Sequence, residues 1–416
     1  MMSGAAVLTK NFDRTDLFRI DTYLETGGYA ALRKALTGMT PAAVAAEVKA
    51  ASLRGRGGAG FPAGTKWGFV PQAAGTPRYL CVNADEGEPG TFKDRFILAH
   101  TPHLMIEGII LTCYAVGIET AYVYIRGEYE MIARRLEAAL EEARARGFLG
   151  PNILGTDFSA EIHVHRGAGS YICGEETALL ESLEGKRGLP RLKPPFPASV
   201  GLFGRPTVIN NVETLANVPG IVQNGAAWFL DQGRPKDGGT RLFCVSGPVV
   251  RPGIYELPVG APLRELIFTH AGGLKDGKTL KAVIPGGLSA PLLKAGEIDV
   301  PLSTEGIAAA GSMLGSAGVI VIDETTRIID LLVLVAKFYS HESCGQCTPC
   351  RIGTAWINKI VGRISAGSGR PADLDEILRL AENIKGRTLC PLGDAAALPI
   401  LAIVRKFRAE LEQGMK

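Results

Sequence analysis

The feature that most constrains this 416-residue chain is a group of cysteines near its C-terminal end. Cys344, Cys347 and Cys350 recur at every third position, and Cys390 stands further along the chain, directly before Pro391. C-x2-C-x2-C with one remote cysteine is the spacing that supplies four thiolates to a [4Fe-4S] cluster. Zinc sites more often bring two pairs of ligands, and a zinc knuckle usually includes histidine. The sequence therefore predicts an iron–sulfur cluster, with zinc and unrelated thiols as the alternatives.

The residues between the third and fourth cysteines are compatible with one shared site. Residues 351–364 and 373–384 have the pattern of helices, and the Gly- and Pro-containing stretch 366–371 between them predicts a turn. Two antiparallel helices of similar length return the chain to its starting end. We therefore expect Cys390 to meet the first three thiols.

The composition is that of an ordinary globular protein large enough for two or three domains. Hydrophobic residues make up 46% and charged residues 21%, and the net charge is only +3. No run of Lys or Arg indicates a nucleic-acid-binding surface. The most apolar stretches, 104–118 and 328–336, are interrupted by Glu107 and Asp330, and the N-terminus lacks a signal-peptide core. The sequence predicts a cytoplasmic protein that could dock on a membrane complex.

The first glycine-rich stretch contains G-x-G-x-x-G at Gly55, Gly57 and Gly60. The dinucleotide fingerprint should follow a strand, but this stretch follows the predicted helix 41–53, so a conventional Rossmann turn is not expected. Residues without a Cβ still allow backbone N–H groups to approach a phosphate or a flat ring closely. The stretch therefore predicts a ligand-binding loop, with a plain surface loop as the alternative.

Three side chains beside this loop could add to such a site. Lys66 could place a point charge on a phosphate. Phe61 and Phe69 could stack on a ring, although aromatics turned into the core are the alternative interpretation.

An acidic loop follows the predicted strand 78–82. It contains Asn83, Asp85, Glu86 and Glu88. Ligands of α/β sheets bind just beyond the carboxyl ends of strands, where an amide and carboxylates could hydrogen-bond sugar hydroxyls and the polar edge of a ring. A solvated acidic turn is the alternative.

The second glycine-rich stretch, 167–177, has the context that the first one lacks. It follows the predicted strand 160–165 and opens the predicted helix 178–183, whose N-terminus offers free N–H groups to a phosphate or ring oxygen. Glu175 and Glu176 in this stretch could accept from ribose hydroxyls and repel a 2′-phosphate. Carboxylates are also favourable in a first helical turn without any ligand.

Two further segments carry candidate residues. The proline-rich run 194–197 is stiff and would hold Phe196 in one place, either in a core or against a ring. Asn210 and Asn211 stand before another predicted helix, where adjacent amides could bind a ligand or simply cap the helix.

The pattern of predicted strands and helices changes twice along the sequence, which predicts three domains. Residues 1–240 alternate strands and helices as in an α/β domain, and the polar stretch 231–240 predicts a linker. Residues 241–325 contain short strands with one helix, which is typical of a small α+β domain. Residues 326–416 are helical and carry the cysteine motif.

Together these motifs predict electron transfer from a nicotinamide. Protein side chains do not carry hydrides, so hydride chemistry needs a cofactor. An iron–sulfur cluster takes electrons singly, whereas a nicotinamide gives two at once. A flavin resolves that mismatch, since it can hold one or two electrons.

The motifs also resemble those of a known family. The matching segments are residues 54–66, 83–95, 167–177, 193–198, 210–214 and 342–351. With them the chain resembles, over nearly its whole length, the NADH-binding flavoprotein subunits of respiratory complex I. Diaphorase subunits of NAD-linked hydrogenases and formate dehydrogenases are close relatives, but they often carry an added thioredoxin-like or ferredoxin domain. The sequence has neither, which favours the complex I family.

The resemblance implies a fold and a set of ligands. The fold is a Rossmann-like α/β domain for FMN and NADH, then a β-grasp (ubiquitin-like) domain, then a helical bundle with the [4Fe-4S] cluster. The residues implied to hold FMN are Gly55, Gly57, Lys66, Asn83, Asp85, Gly174, Glu175, Asn210 and Asn211. The adenine of NADH would stack among Phe61, Phe69 and Phe196. Its nicotinamide or ribose would contact Glu86, Glu88, Tyr171 and Glu176. The cluster ligands would be Cys344, Cys347, Cys350 and Cys390.

The resemblance also implies partners and a location. A small [2Fe-2S] thioredoxin-like subunit and a large iron–sulfur subunit would accompany the chain, on the cytoplasmic face of a membrane, and no side chain need act as an acid or base. Two alternatives from other classes remain: an electron-transfer module that keeps only the cluster, and a structural zinc-bound scaffold.

Overall fold

A computed structural model describes residues 6–71, 75–413 and 415 of the chain. Its strands are β1 (Tyr79–Ala84), β2 (Thr120–Ile125), β3 (Glu161–Arg166), β4 (Thr207–Asn211), β5 (Thr240–Ser246), β6 (Gly253–Pro258), β7 (Leu280–Ile284), β8 (Leu293–Lys294) and β9 (Gly318–Asp323). Its α-helices are α1 (Ile20–Glu25), α2 (Ala30–Gly38), α3 (Pro41–Ala50), α4 (Ala63–Trp67), α5 (Asp94–His100), α6 (Pro102–Val116), α7 (Glu130–Ala145), α8 (Glu176–Leu183), α9 (Val212–Ala216), α10 (Val218–Asn224), α11 (Ala226–Asp231), α12 (Leu263–Glu265), α13 (Thr304–Ala309), α14 (Ile328–Glu342), α15 (Thr348–Ser365), α16 (Pro371–Ile384), α17 (Leu392–Lys406) and α18 (Arg408–Gln413).

Strands β1 to β4 form a parallel sheet in the order β3-β2-β1-β4. Both faces of the central strand β1 are covered, which explains its near-continuous apolar run, whereas the edge strand β3 alternates apolar and polar residues. Leu80 and Val82 of β1 pack into the core formed with the N-terminal helices, whereas Cys81 packs into the core shared with the C-terminal helices. The chain moves outward from β1 to β2 and β3, then returns to place β4 on the other side of β1. The strand order therefore reverses between β1 and β4.

Strand β4 is absent from the sequence-based prediction, which expects only adjacent amides before a helix. The helix is present as α9, and Asn211 caps it by accepting from the N–H groups of Glu213 and Thr214. The strand before it is short, and its apolar residues Val208 and Ile209 are too few to show a period. Its pairing with β1, rather than its local pattern, makes it a strand.

The second sheet is mixed, in the order β6-β5-β9-β7-β8. Strand β5 lies parallel to β9 and antiparallel to β6, and β7 is antiparallel to both β9 and β8. The one helix expected in residues 241–325 begins as α12 and continues as a π-helical turn, Leu266–His270. The short strands expected there are present, and the two-residue β8 is too short to be detected from its sequence.

The C-terminal helices form a closed bundle. Helices α14, α15, α16 and α17 each pack on the next, and α17 also packs on α14. Helix α15 starts at Thr348 rather than at the predicted residue 351, because Pro349 suits a first helical turn. Cys350 therefore lies in the helix and Cys347 immediately before it.

The predicted polar linker 231–240 is exposed at residues 234–236 but buried from Asp237 onward. Asp237 and Thr240 are buried, and the guanidinium of Arg56 donates to the Asp237 carboxylate and to the carbonyl of Thr240. Buried pairing of these polar groups converts a composition typical of a linker into a fixed connection between the two sheets.

Among the described residues, no single helix has the length and apolar character needed to cross a bilayer. The helices α5 and α6 pass that test only as a pair, and they are bent by 103° relative to each other.

Candidate functional site

The predicted ligand-binding residues come together at the carboxyl edge of the parallel sheet. Asn83 on β1 lies opposite Asn211 on β4, at the point where the strand order reverses. In open α/β sheets, ligands bind beyond the carboxyl ends of the strands, at the point where the strand order reverses. The sheet topology thus brings the acidic loop and the paired amides to one place, although they are far apart in sequence.

The first glycine-rich loop lies against the end of β4. The Gly55 N–H donates to the carbonyl of Phe61 over 2.9 Å, which closes the loop on itself. A Cβ on Gly57 would lie 3.1 Å from Cβ of Asn211, so the loop approaches β4 closely and a side chain there would crowd Asn211. Arg56 between the two glycines is fully buried, and its backbone N–H donates to the Thr214 hydroxyl. The loop is therefore anchored against β4 and α9, with Gly57 itself exposed.

Helix α4 follows this loop and adds three polar contacts. The Lys66 ammonium donates to the carbonyl of Ile209 over 2.9 Å and lies 3.4 Å from the Glu176 carboxylate. The Trp67 indole donates to Oδ1 of Asn210 over 2.9 Å. The Lys66 charge is thus held at the crevice, and the Asn210 amide group keeps a fixed orientation.

The second glycine-rich stretch enters the same crevice at the start of α8. Glu175 caps the helix by accepting from the N–H groups of Thr177 and Ala178. Nζ of Lys193 lies 3.1 Å from the Glu175 carboxylate and 2.6 Å from the Glu176 carboxylate. Burial by itself would raise the pKa of Glu176, but the Lys66 and Lys193 ammonium groups outweigh burial and lower it. Glu176 is therefore an anion in this site.

Asp85 has a buried carboxylate oxygen that a ligand could hydrogen-bond. Its Oδ2 atom is buried and has no hydrogen-bond partner within the described chain. Burial raises the pKa of Asp85 to about 7, against the lowering effect of Arg126, while Glu128 and Glu342 raise it further. Next to it, Asn83 donates to the carbonyl of Gly174 over 2.8 Å. A buried acceptor without a donor is costly, so this position fits a ligand that donates a hydrogen bond.

Glu86 differs from Asp85, because protein groups already satisfy its carboxylate. It accepts from the backbone N–H groups of Asp94 and Arg95, from the Arg95 guanidinium and from the Tyr129 hydroxyl. Glu88 is also engaged: the Tyr171 hydroxyl donates to it over 2.6 Å. Both carboxylates hold the acidic loop in place, which rules out the freely solvated turn considered from the sequence.

The three candidate stacking aromatics are on the surface rather than in the core. Phe61 is 46% exposed, Phe69 57% and Phe196 58%. The rings of Phe61 and Phe69 lie 6.0 Å apart at an interplanar angle of 45°. Exposed phenylalanine rings leave apolar faces for a planar ligand, and Phe61 and Phe69 lie close enough together to share one.

The four predicted cluster ligands lie at one end of the helical bundle. Cys347 and Cys350 stand at the N-terminus of α15, and Cys390 stands two residues before α17. Burial raises the pKa of Cys390 to about 12, and the neighbouring Glu175, Cys344 and Cys350 raise it in the same direction. Two helix N-termini face these thiols, which favours bound negative charge.

The described residues contain no group of three or more His, Cys, Asp or Glu arranged to hold a single metal ion. A [4Fe-4S] cluster takes one thiolate on each of four irons, so its ligands stand farther apart than those of one ion. The soft thiolate set of the four cysteines fits such a cluster.

Several residues of the site were missed by the sequence-based analysis. Lys193 bridges Glu175 and Glu176, and its position before the proline run gives only a weak local signal. Lys93, Asp94 and Glu213 form a buried ion cluster behind Asn211, whose amide donates to Asp94 over 2.7 Å. Charged residues are ordinarily solvated, so only the fold reveals that these three are buried.

Comparison with known families agrees with this arrangement. The family model described as Nuo51 FMN-binding domain matches residues 48–220. The model described as NADH-ubiquinone oxidoreductase-F iron-sulfur binding region matches residues 330–414, and an SLBB domain model matches residues 242–291.

Individual relatives match almost from end to end. The second F subunit of NADH-quinone oxidoreductase in Rhizobium meliloti is 57% identical over 404 residues, which cover 97% of this chain and 96% of the relative. The F subunit of the same oxidoreductase in Mycobacterium tuberculosis is 51% identical over 411 residues, covering 97% and 92%. Its counterpart in Streptomyces coelicolor is 50% identical over 409 residues, covering 98% and 91%.

Solved structures share the same fold. A chain of the NAD+-reducing [NiFe]-hydrogenase in the H2-reduced state superimposes with a TM-score of 0.86 at 40% identity, over 96% of this chain and 67% of that chain. The air-oxidised state of such a hydrogenase gives a TM-score of 0.85 at 38% identity, over 99% of this chain and 67% of that chain. Because the F subunits above are 50–57% identical to this chain over nearly its whole length, the chain belongs to the family of NADH-quinone oxidoreductase F subunits.

Proposed function

We propose that this chain is the NADH dehydrogenase component of an NADH-quinone oxidoreductase, which takes a hydride from NADH onto FMN and delivers single electrons to a [4Fe-4S] cluster. The observation that best supports the proposal is that the crevice of the parallel sheet and the cysteine group are in direct contact. The Tyr171 N–H of the second glycine-rich stretch donates to the Glu342 carboxylate over 3.2 Å, and Glu342 ends α14 two residues before Cys344 of the cysteine group. Nucleotide chemistry and one-electron transfer are thus brought next to each other.

We infer three domains with boundaries at 1–240, 241–325 and 326–416. The parallel sheet with its reversal between β1 and β4 supports a Rossmann-like domain. The mixed sheet starts with an antiparallel hairpin, and its last strand lies parallel to its first, which supports a β-grasp fold. The packing of α14 to α17 supports a helical bundle as the cluster domain.

The proposed FMN site is the crevice between β1 and β4. Its members are Gly55, Gly57, Lys66, Asn83, Asp85, Gly174, Glu175, Asn210 and Asn211. The unpartnered Oδ2 of Asp85 and the close approach of Gly57 to Asn211 support this assignment. Backbone N–H groups and the Lys66 charge would hold a phosphate, while Asp85 would accept from a ring or sugar donor.

The proposed NADH site lies beside it. Phe61, Phe69 and Phe196 would stack on the adenine, and Glu86, Glu88, Tyr171 and Glu176 would contact the nicotinamide or its ribose. Exposure of the three aromatics and the anionic state of Glu176 support these roles. The Glu86 and Glu88 carboxylates already have protein donors, so they would act mainly by fixing the loop that faces the nicotinamide.

When bound, FMN would supply the exchange between two-electron transfer from NADH and one-electron transfer to the cluster. The protein's part is positioning: its loops hold the nucleotide at a fixed distance and angle, and no side chain need move a proton in hydride transfer. Cys344, Cys347, Cys350 and Cys390 are the proposed cluster ligands.

The proposed partners are a small [2Fe-2S] thioredoxin-like subunit and a large iron–sulfur subunit, with the chain held peripherally at the cytoplasmic face of the membrane. A diaphorase subunit of an NAD-linked hydrogenase is the second candidate, because hydrogenase chains share the fold with a TM-score of 0.86. NADH:quinone and H2:NAD+ activities of the assembled complex separate the two candidates.

The first test is the visible spectrum of the chain, purified without oxygen, before and after NADH is added. We expect flavin bands over a broad iron–sulfur absorbance, and NADH should bleach both. A colourless protein with bound zinc would contradict the redox function. A brown protein without flavin, whose spectrum does not change with NADH, would indicate an electron-transfer module only.

A further inference from the structure

The Glu88 carboxylate joins the two sheets of the molecule. Its Oε1 accepts from the Ser289 N–H over 2.7 Å, and its Oε2 accepts from the Ser289 hydroxyl over 2.9 Å and from the Tyr171 hydroxyl over 2.6 Å. Glu88 follows β1 of the parallel sheet, whereas Ser289 lies between β7 and β8 of the mixed sheet. The mixed sheet thus provides two of the three hydrogen-bond donors of this carboxylate.

Ser289 has a second partner on the helical bundle. Its Oγ lies 2.8 Å from the hydroxyl of Tyr339, which is fully buried on α14. A serine hydroxyl has one proton, so donating it to Glu88 leaves its oxygen to accept from Tyr339. The hydrogen bonds then run in one direction, from Tyr339 through Ser289 to Glu88.

The backbone around Ser289 is shaped to fit Glu88. Gly287 has a φ of +89°, and a Cβ there would lie 2.5 Å from Cγ of Glu88. The Leu288 N–H donates to the carbonyl of Pro89 over 3.1 Å. A residue with a side chain at Gly287 would be strained and would also displace Glu88, so the turn is built around this carboxylate.

Glu88 depends on these donors for its charge and direction. Burial raises the pKa of Glu88, and the hydrogen bonds from Tyr171 and Ser289 oppose that effect. Since both carboxylate oxygens are occupied, the side chain has a single orientation.

We infer that Ser289 is a positioning residue for NADH oxidation, which acts through Glu88 and makes the mixed sheet one wall of the nicotinamide site. The inference rests on the proposed function, in which Glu88 fixes the loop that faces the nicotinamide. Tyr339 extends the same hydrogen-bonded chain and is a weaker positioning residue.

The test compares Ser289→Ala with Ser289→Thr in the holoprotein. We expect the alanine variant to lower kcat/KM for NADH about tenfold with unchanged FMN and iron content, because one hydrogen bond to a buried charge is lost. The threonine variant keeps the hydroxyl and should recover most of the activity. Ser316→Ala is the matched control: Ser316 is equally buried and also joins the two sheets, through the Thr91 hydroxyl, but does not touch Glu88.

A double-mutant cycle separates action through Glu88 from general destabilisation. In a Glu88→Gln background, Ser289→Ala should cause little further loss, whereas a full additional tenfold loss would overturn the inference. An equal loss in Ser316→Ala would overturn it as well. If Ser289→Ala does not retain FMN, Tyr339→Phe takes its place in the same cycle. A wild-type protein without flavin or NADH activity would instead contradict the proposed function itself.

Discussion

The Lys193 ammonium donates a hydrogen bond to the Glu176 carboxylate over 2.6 Å, and its Nζ also lies 3.1 Å from Glu175. One cation therefore serves two neighbouring carboxylates at the start of α8. The contact also ties the proline-rich segment with Phe196 to the second glycine-rich stretch. Lys66 approaches Glu176 from the other side, so the charge of this glutamate is held between two lysines.

The first prediction concerns nucleotide choice. Glu176→Gln removes a negative charge that would repel a 2′-phosphate, and it leaves Lys66 and Lys193 to attract that phosphate. We expect the ratio of kcat/KM for NADPH to that for NADH to rise about tenfold or more. Steady-state kinetics with both nucleotides measure this ratio.

Glu181→Gln is the control for this substitution. Glu181 lies on the same helix and pairs with Arg191, away from the two lysines that flank Glu176. The Glu181→Gln variant should keep the nucleotide preference of the wild type. Unchanged NADPH use in the Glu176 variant would remove that residue from the ribose site.

The second prediction concerns pH. Burial raises the folded-state pKa of Asp85 to about 7, whereas an unfolded aspartate titrates near 3.9. A raised carboxyl pKa stabilises the fold below about pH 4, and this contribution is lost as the pH rises through 7. In the FMN-free chain we expect about 2–3 kcal/mol of the unfolding free energy from this group to be lost between pH 5 and pH 7.

Urea titrations at pH 5, 6, 7 and 8 compare the wild type with Asp85→Asn. The asparagine variant cannot ionise, so its unfolding free energy should lack the pH-dependent contribution of Asp85. The plots of unfolding free energy against pH for the two proteins should therefore converge or cross as the pH rises. Parallel curves over the whole range would show that Asp85 titrates as it does in an unfolded chain.

The third prediction contrasts two neighbouring arginines. Arg56 is fully buried and pairs with the buried Asp237 at 3.1 Å, whereas Arg54 pairs with the exposed Glu305. Arg56→Met removes the ion-pair partner of the buried Asp237 carboxylate and should lower the unfolding free energy by about 3–5 kcal/mol. Arg54→Met should cost less than about 1 kcal/mol. Urea unfolding of the two variants under one set of conditions decides the matter, and equal losses would contradict the buried pairing.

The fourth prediction concerns the cluster. Cys390→Ala removes one of four proposed ligands and should reduce the bound iron from about four atoms per flavin to less than one, while FMN is retained. Cys113→Ala is the control, because Cys113 is a buried thiol of α6 remote from the cysteine motif. Iron and flavin assays measure both ratios. Full iron content in the Cys390 variant would exclude this residue as a ligand.

The spacing of cysteines and glycines along the sequence was enough to predict a cluster and nucleotide-binding loops. The three-residue repeat of Cys344, Cys347 and Cys350 indicates a cluster without knowledge of the fold, because ligands on one turn and the following helix must be close together. The two glycine-rich stretches are likewise recognisable, since the absence of Cβ atoms is a property of the residues themselves. Family membership follows from the same motifs and agrees with the relatives found.

Tertiary structure decided which of these residues face a ligand and which face the protein. Asp85 and Glu86 are adjacent in the same acidic loop, yet one has an unpartnered buried oxygen and the other has several protein donors. The strand β4 and the contact of Glu88 with Ser289 depend on residues that are far apart in the chain. Sequence patterns report local periodicity and residue type, whereas burial and hydrogen bonding arise only when distant segments pack together.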